Sequence, residues 1–371
     1  MSFKDIKGHT SSIKLLQIAL SGERQALAHL FIGEEGIGKR LVARTLAKAI
    51  NCLKSDGLDT SASSLDFARD DPERVKRVEG SLSVNGVLRQ AQDASKDAEQ
   101  SRSKQSRTID SCDQCASCKR IDNFNHPDVH WVMPESISNS IKIEQIRQLK
   151  NDISLRPYEA KKKVFIIDEA HCLTPEAANA FLKVLEEPPL NSLIILITSK
   201  PKLIFSTILS RCQKLRFYPL KKNELNEFLF KELKLDAEAS HYLAYFCEGR
   251  LGKALNLKEG DILREKNMVI DGFVFSNNIH KTKEFDREGF KRDLDILASW
   301  FRDIYFLKVG VPFMELINLD RKNELLKVMS RYSFLELDSI INFISNSALY
   351  LKQNVNPKLI LSNLRERIWK G

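Results

Sequence analysis

A glycine-rich segment near the start of the sequence, GEEGIGKR at 33–40, carries the residue types that hold a phosphate group. It matches the P-loop pattern G-x-x-x-x-G-K, in which backbone N–H groups surround phosphate oxygens and the lysine reaches the terminal phosphates. The pattern continues with Ser or Thr, whose hydroxyl ligates Mg²⁺, but here Arg40 follows Lys39, and a guanidinium repels that ion. The segment therefore predicts nucleotide binding with poor hydrolysis. The residues assigned to nucleotide binding are Gly33, Gly36, Gly38, Lys39 and Arg40.

Two carboxylates, Asp168 and Glu169, directly follow the apolar run 164–167. Open parallel sheets bind ligands at the carboxyl ends of their strands, which is where these side chains would lie. Asp168 would accept Mg²⁺ directly or through water, and Glu169 would polarise an attacking water. Helix capping is the alternative role for both, and the phosphate loop upstream favours the nucleotide role.

Three cysteines, Cys112, Cys115 and Cys118, lie within seven residues. Tetrahedral zinc needs four such ligands, so the fourth must come from elsewhere in the chain. His126 is one candidate, and a surface histidine is the alternative for it. Because the spacing suggests a closed site, we expect structural zinc in preference to catalytic zinc or to three free thiols.

Composition places these motifs in an ordinary folded protein of 371 residues, long enough for two or three domains. The formal net charge of +9 suits a polyanionic partner without proving one. The longest apolar runs are far shorter than a bilayer span, so no membrane association is expected. Seven cysteines, an odd number, argue against a secreted disulfide framework and favour the cytoplasm.

Apolar patterning indicates the elements that position the motifs. Short strands are predicted at 30–32, 129–133, 164–167 and 193–198, separated by helical segments of the length that parallel crossovers need. This alternation predicts an α/β fold with a doubly wound parallel sheet. The serine-rich, highly charged stretch 54–111 is predicted to be a flexible insertion.

Helical patterns dominate the remainder. A helix is predicted at 175–187, with Thr174 as its N-cap and Pro175 in its first turn. From about Lys221 onward the periodicity is helical throughout, and the last helix has Asn356 as its predicted cap and Pro357 in its first position.

The motifs in this order resemble those of the bacterial clamp-loader AAA+ proteins, the delta-prime and gamma/tau subunits of DNA polymerase III. Beyond the phosphate loop and the acid pair, the resemblance rests on LKVLEEPP at 182–189 and on SRC at 210–212. It implies an AAA+ nucleotide-binding domain at 1–215, a helical lid at 216–260 and a helical collar for oligomerisation at 261–371. The apolar residues at helical spacing in 261–371 are also explained by an ordinary internal core.

The resemblance also implies roles for individual residues. Arg211 would be an arginine finger that acts in trans on the ATP site of a neighbouring subunit, and Thr198 would join the nucleotide site. Cys52 would complete a four-cysteine zinc module at 52–118, although 59 residues separate it from Cys112. Cys212, within SRC, is predicted to be a packed apolar residue.

Three departures from the motor subunit indicate the delta-prime type: Arg40, the sequence AANA at 177–180, and Gly252 where the sensor-2 arginine would stand, with Arg250 and Lys253 as the alternative matches for that position. The predicted function is therefore a stator and arginine donor with weak or no ATPase activity, in a hetero-pentamer with gamma/tau and delta. That complex would load the sliding clamp at primer-template DNA. The alternatives are a gamma/tau-type motor, which the intact Asp168 and Glu169 favour, and another AAA+ ATPase of DNA repair or recombination.

Overall fold

A computed structural model describes residues 1–21, 27–54, 110–136, 138–258, 260–276, 287–353 and 355–370. The chain divides into two compact units, which we call the sheet unit (1–33 and 39–217) and the helical unit (34–38 and 218–371). Nearly all of the predicted insertion 54–111 lies outside the described residues. The predicted separation of a lid from a collar at residue 260 stays a prediction.

The sheet unit contains a five-stranded, wholly parallel sheet in the order β2-β3-β4-β1-β5. This confirms the predicted α/β fold, because each pair of neighbouring parallel strands needs a crossover. β3 and β4 are buried at every position, as expected for strands covered on both faces. The strands are β1 (Ala28–Ile32), β2 (Val129–Val132), β3 (Lys163–Ile167), β4 (Ser192–Thr198) and β5 (Gln213–Arg216).

β5 was not predicted, and its position explains why. It lies at one edge of the sheet, pairing only with β1, and Leu215 is its one buried side chain. A polar sequence of this kind lacks the apolar signal of a strand, although charged side chains are common on exposed edges.

Helices cover the sheet and position its loops. Thr174 caps α5 as predicted, since its hydroxyl accepts a hydrogen bond from the Ala177 N–H at 3.3 Å. The described helices of the sheet unit are α1 (Thr10–Ser21), α2 (Lys39–Asn51), α3 (Ala116–Asp122), α4 (Ile143–Ser154), α5 (Pro175–Glu186) and α6 (Ser206–Leu209).

The helical unit packs around its own core, in which Leu297, Trp300 and Phe301 are fully buried. Asn356 caps the last helix as predicted, because its Oδ1 accepts the Lys358 N–H at 3.0 Å. Its described helices are α7 (Lys222–Lys231), α8 (Ala237–Phe246), α9 (Leu251–Leu257), α10 (Ile262–Ile270), α11 (Arg287–Val309), α12 (Lys322–Met329), α13 (Phe334–Lys352) and α14 (Pro357–Lys370).

Within the described residues, none of the helices combines the length and apolar character that crossing a membrane requires.

The turn before α9 depends on a glycine. Gly249 has φ +80°, its carbonyl accepts the Leu220 N–H at 3.0 Å, and a Cβ built on it would lie 1.9 Å from the Leu220 carbonyl oxygen. A side chain here would therefore push two backbone segments apart in addition to straining its own backbone.

We expect Gly249→Ala to lower the free energy of unfolding by about 3 kcal/mol or more, measured by urea denaturation. Gly310→Ala is the matched control, because Gly310 has φ +85° but nothing within 4 Å of its Cβ direction. The control should lose about 1 kcal/mol of unfolding free energy, which is the cost of a side chain at positive φ without a steric clash. Equal losses in the two variants would contradict the close contact with Leu220.

Candidate functional site

The phosphate loop joins β1 to α2, and its first residue is fixed to the neighbouring strand. The Gly33 N–H donates to the carbonyl of Thr198, the last residue of β4, at 3.2 Å. The Lys39 ammonium, almost buried, donates to the Gly33 carbonyl at 2.6 Å. The structure therefore brings Gly33, Lys39 and Thr198 together at the carboxyl ends of β1 and β4, as the predicted nucleotide site requires.

The middle of the loop, residues 34–38, packs within the helical unit. Gly36 and Gly38 have φ values of +79° and +101°, which explains the need for glycine at both positions. The Gly36 carbonyl accepts the Gly252 N–H at 2.7 Å, and a Cβ on Gly252 would lie 2.6 Å from that oxygen. The position expected for a sensor-2 arginine thus approaches the phosphate loop too closely for any side chain.

The residue that follows the phosphate-loop lysine forms an ion pair with the first acidic residue after β3. The Arg40 Nε contacts Asp168 Oδ2, and the other carboxylate oxygen accepts the Glu169 N–H at 2.9 Å. Burial raises the pKa of Asp168, whose exposure is 2 %, and the positive charge of Arg40 opposes that rise. The carboxylate predicted to bind Mg²⁺ therefore already has a cation of this chain on one oxygen. The sequence showed that Arg40 would repel Mg²⁺ but not that it would pair with Asp168.

The turn after β3 also places a histidine that the sequence analysis gave no role. His171 Nδ1 lies 3.2 Å from the hydroxyl of Thr198, which also accepts the Lys200 N–H at 3.1 Å. Burial lowers the pKa of His171, so the ring is neutral at pH 7. Glu169 adopts the left-handed conformation, with φ +46° and ψ +47°, and starts this turn.

The four cysteines predicted to bind zinc lie together. The sulfur atoms of Cys52, Cys112, Cys115 and Cys118 are all within 4.8 Å of one another, although Cys52 directly follows α2 and the others belong to a separate segment. The N–H groups of Cys115 and Cys118 donate to the sulfurs three residues earlier, at 3.4 and 3.5 Å. Burial raises the pKa of Cys112, but backbone N–H donors and the neighbouring thiols outweigh it and lower the value to about 6. Four converging sulfurs fit a closed tetrahedral metal site.

His126, the other candidate for the fourth ligand, lies outside this cluster. Its Nδ1 accepts the Asp128 N–H at 3.1 Å, and its Nε2 lies 3.3 Å from the hydroxyl of Ser117. Both ring nitrogens therefore have partners within the protein, and burial lowers the pKa of the ring. His126 has a structural role beside the cysteines.

A buried lysine ties the cysteine segment to the helix of the phosphate loop. Lys48 of α2 is 1 % exposed, and its ammonium contacts Asp113 at 2.5 Å and Asp122 at 2.9 Å. Burial alone would lower the pKa of Lys48, but the two carboxylates raise it. The charge is therefore retained, and it fixes α2 against Asp113, which lies between Cys112 and Cys115, and against Asp122, which follows Cys118.

Arg211 follows the short helix α6, and its side chain is about one-third exposed. Its guanidinium donates to the Thr207 carbonyl at 2.9 Å and to Glu186 Oε1 at 2.7 Å. Glu186 belongs to the LKVLEEPP segment, so the two motifs on which the resemblance rests meet at this point. Cys212 beside it is buried, as predicted, and burial raises the pKa of its thiol to about 11.

The sheet order, the phosphate loop after β1 and the acidic pair after β3 define an AAA+ P-loop NTPase fold. Two family models described as DNA polymerase III, delta subunit, and its C-terminal part match residues 84–221 and 277–366. The chain belongs to the clamp-loader family of bacterial DNA polymerase III.

Two curated relatives of this chain are subunits of DNA polymerase III. DNA polymerase III subunit delta' of Bacillus subtilis is 27 % identical over 310 residues, 80 % of this chain and 77 % of the relative. Subunit tau of the same organism is 29 % identical over 284 residues, and the match spans 73 % of this chain but only 41 % of tau. A gamma subunit-related protein of Thermotoga maritima matches 67 % of this chain and 88 % of that protein, at 20 % identity and a TM-score of 0.35.

We expect Arg40→Ala to lower the free energy of unfolding by about 2 kcal/mol at pH 8, because it leaves the buried Asp168 carboxylate without its cation. Removing Arg40 also removes what opposes the burial-driven rise of the Asp168 pKa. A carboxyl group with a raised folded-state pKa destabilises the protein above its unfolded pKa, so the loss should shrink as the pH falls.

Urea denaturation at several pH values measures this effect. Arg44→Ala is the control, since Arg44 lies one turn further along α2 and pairs with the part-exposed Asp122 at 3.4 Å. It should cost less than about 1 kcal/mol at every pH. A loss in Arg40→Ala that does not change with pH would contradict the pairing with buried Asp168.

Proposed function

We propose that this chain is the delta-prime-type subunit of a DNA polymerase III clamp loader. In this function it is a stator that donates Arg211 to the ATP site of a neighbouring subunit, while its own phosphate loop hydrolyses ATP weakly or not at all. The observation that carries the proposal is the ion pair between Arg40 and Asp168, because Arg40 competes with Mg²⁺ for that carboxylate.

The competition between Arg40 and Mg²⁺ supports the stator role. ATP hydrolysis needs Mg²⁺ at the phosphates, and in P-loop NTPases the P-loop hydroxyl and an acidic residue, which would be Asp168 after β3 here, hold that ion. Arg40 stands where the P-loop pattern has Ser or Thr, so the ion would lack the hydroxyl ligand. The Arg40 side chain also contacts Asp168 Oδ2, so the ion would meet a positive charge at its carboxylate ligand. Glu169 would act as catalytic base only in a chain that overcomes both obstacles.

The phosphate loop supports the same conclusion. Lys39 donates to the loop's own first carbonyl, and Gly36 accepts a hydrogen bond from Gly252. A nucleotide would have to draw Lys39 away from Gly33 to place it on the terminal phosphates. The absence of a side chain at Gly252 also removes the arginine that a motor subunit would supply there.

The proposed partners are gamma/tau and delta in a hetero-pentamer, which would act on the sliding clamp and primer-template DNA in the cytoplasm. The similarity to delta' and tau of Bacillus subtilis supports this assembly. Arg211 would complete a neighbouring site by neutralising charge on the γ-phosphoryl group during transfer. A gamma/tau-type motor is the second candidate, favoured by the retained Glu169 and the match to tau.

We further propose that Cys52, Cys112, Cys115 and Cys118 hold one structural zinc ion. All four ligands are thiols and three of them are buried, which favours a closed, non-catalytic site. The ion would join the end of α2 to the segment that carries α3, beside the Lys48 ion pairs. Its contribution would be to folding, with no open coordination position for substrate.

The arginine-donor role is tested by Arg211→Ala in the complex reconstituted with the loader subunits of the same organism. We expect normal assembly, shown by native mass, and a loss of about 10³-fold or more in single-turnover ATP hydrolysis at the receiving site. Arg216→Ala is the matched control, because it removes the same charge from an exposed position five residues away. Unchanged hydrolysis in Arg211→Ala would refute the finger.

Further measurements test the stator against the motor, the assembly that both roles require, and the part that Arg40 plays. Steady ATP turnover by the purified chain without partners would overturn the stator role and support the gamma/tau-type motor. A chain that joins no complex with the other subunits would overturn both. Arg40→Thr, which restores the P-loop hydroxyl and frees Asp168, should increase Mg²⁺-dependent nucleotide binding if Arg40 is the obstacle.

For the zinc site, we expect Cys115→Ser to reduce bound zinc from one equivalent to well below one, measured by elemental analysis after gel filtration. The thermal midpoint of the sheet unit should fall with it, because the ion links two segments that are distant in sequence. Cys212→Ser, which alters a buried cysteine outside the cluster, should retain the zinc. Full zinc occupancy in Cys115→Ser would disprove the four-cysteine site.

A further inference from the structure

A second group of metal-ligating side chains lies in the turn after β3, outside the zinc module. Glu169, His171 and Cys172 each offer one ligand atom, and these atoms all lie within 4.8 Å of one another. The proposed loader function uses neither His171 nor Cys172. The three side chains differ in chemistry, being a carboxylate, an imidazole and a thiol, which together form a mixed ligand set that divalent transition metals accept.

The turn that carries them is held at both ends. Glu169 starts it in the left-handed conformation, and the Cys172 N–H donates to the Glu169 carbonyl at 2.7 Å. Beyond the turn, the Cys172 carbonyl accepts the Ile141 N–H at 2.8 Å, and Ile141 forms a β-bridge with Leu173. The backbone therefore fixes the three Cα positions, and an ion would need to order only the side chains.

The spacing suits an ion after a small contraction. Zinc lies about 2.0–2.3 Å from nitrogen, oxygen and sulfur ligands, so tetrahedral ligand atoms stand roughly 3.3–3.8 Å apart. Drawing the three atoms together from at most 4.8 Å requires movements of about 1 Å. Since all three side chains are part-exposed, they have room to make them, and a fourth position stays open to water.

The surroundings of the histidine also fit metal binding. His171 Nδ1 lies 3.2 Å from the Thr198 hydroxyl, a contact that orients the ring, and an ion that binds while this contact is kept would do so at Nε2. Ligating histidines commonly have such a partner on their other nitrogen. Burial and the carboxylates of Glu169 and Asp168 raise the pKa of the Cys172 thiol and Lys200 opposes that rise, so an ion would have to displace the thiol proton.

We propose that Glu169, His171 and Cys172 form a second metal site, which binds a divalent ion of the zinc and cobalt class with one open coordination position. Mg²⁺ is disfavoured because it requires oxygen ligands in octahedral geometry, whereas two of these three ligands are nitrogen and sulfur. Binding would engage the Glu169 carboxylate, so a bound ion and activation of water by Glu169 exclude each other. The inference does not depend on the clamp-loader proposal.

Cobalt titration of the full chain tests this site. The protein is purified with one equivalent of zinc, Co²⁺ is added, and sulfur-to-cobalt charge-transfer and d–d absorption bands are recorded while elemental analysis follows the retained zinc. We expect a cobalt equivalent to bind with zinc retained, giving bands of a four-coordinate site that has a single thiolate. Absence of such bands at millimolar Co²⁺ would overturn the proposal.

Variants assign the signal to its ligands. Cys172→Ala should abolish the charge-transfer band, and His171→Gln should weaken cobalt binding by at least about tenfold, while Cys212→Ala, which removes a buried cysteine elsewhere, should change neither. Circular dichroism of each variant establishes that it is folded. A band that survives in folded Cys172→Ala would show that the thiolate comes from elsewhere and would refute the site.

Discussion

The ion pair between Arg40 and Asp168 is the constraint on which the interpretation of the nucleotide site depends. Asp168 lies at the end of a fully buried strand, and a carboxylate at 2 % exposure requires a cation or a proton to offset its lost hydration. In a P-loop ATPase that cation is Mg²⁺, which arrives with the nucleotide. Here it is a side chain of α2 that is always present. The arginine after the P-loop lysine therefore replaces the hydroxyl that would ligate Mg²⁺, and it also pairs with the carboxylate that would be the second ligand.

The same helix that carries Arg40 also anchors the cysteine module. α2 begins with Lys39 and Arg40, contains Lys48 and ends one residue before Cys52, so the arginine that pairs with Asp168, the buried lysine and one of the four clustered cysteines lie along this helix or directly after it. The segment between Cys52 and Cys112 closes a loop of 59 residues, and the entropy of closing it grows only logarithmically with its length. The ion pairs of Lys48 with Asp113 and Asp122, near the two ends of that loop, can therefore hold the four cysteines together even though the intervening segment is long.

Predictions from the sequence were most accurate for features that depend on the residues of a single strand, helix end or short segment. The apolar runs of β1 to β4, the Thr174 and Asn356 caps and the cysteine spacing are local signals, and the structure agrees with each within a few residues. β5 was missed because an exposed edge strand of polar residues has no hydrophobic pattern. The pairing of Arg40 with Asp168, and of Arg211 with Glu186, could not be predicted from periodicity, because these partners meet only through the order of the strands and the turns that follow them.

The two arginines of the proposed mechanism differ in how easily they can leave their partners. Arg211 pairs with Glu186, which is about half exposed, and exposed pairs of this kind contribute about 0–1 kcal/mol. Arg40 pairs with a carboxylate that water scarcely reaches, so its removal leaves a buried charge, at a cost of up to about 3–5 kcal/mol for a fully buried pair and less for a half-exposed arginine. Breaking the Arg211–Glu186 pair would therefore cost little free energy when Arg211 binds a phosphate of a neighbouring subunit. Breaking the Arg40–Asp168 pair to admit Mg²⁺ would cost substantially more. The difference in burial of the two acidic partners thus favours a chain in which Arg211 can act at a neighbouring subunit while Arg40 stays paired with Asp168.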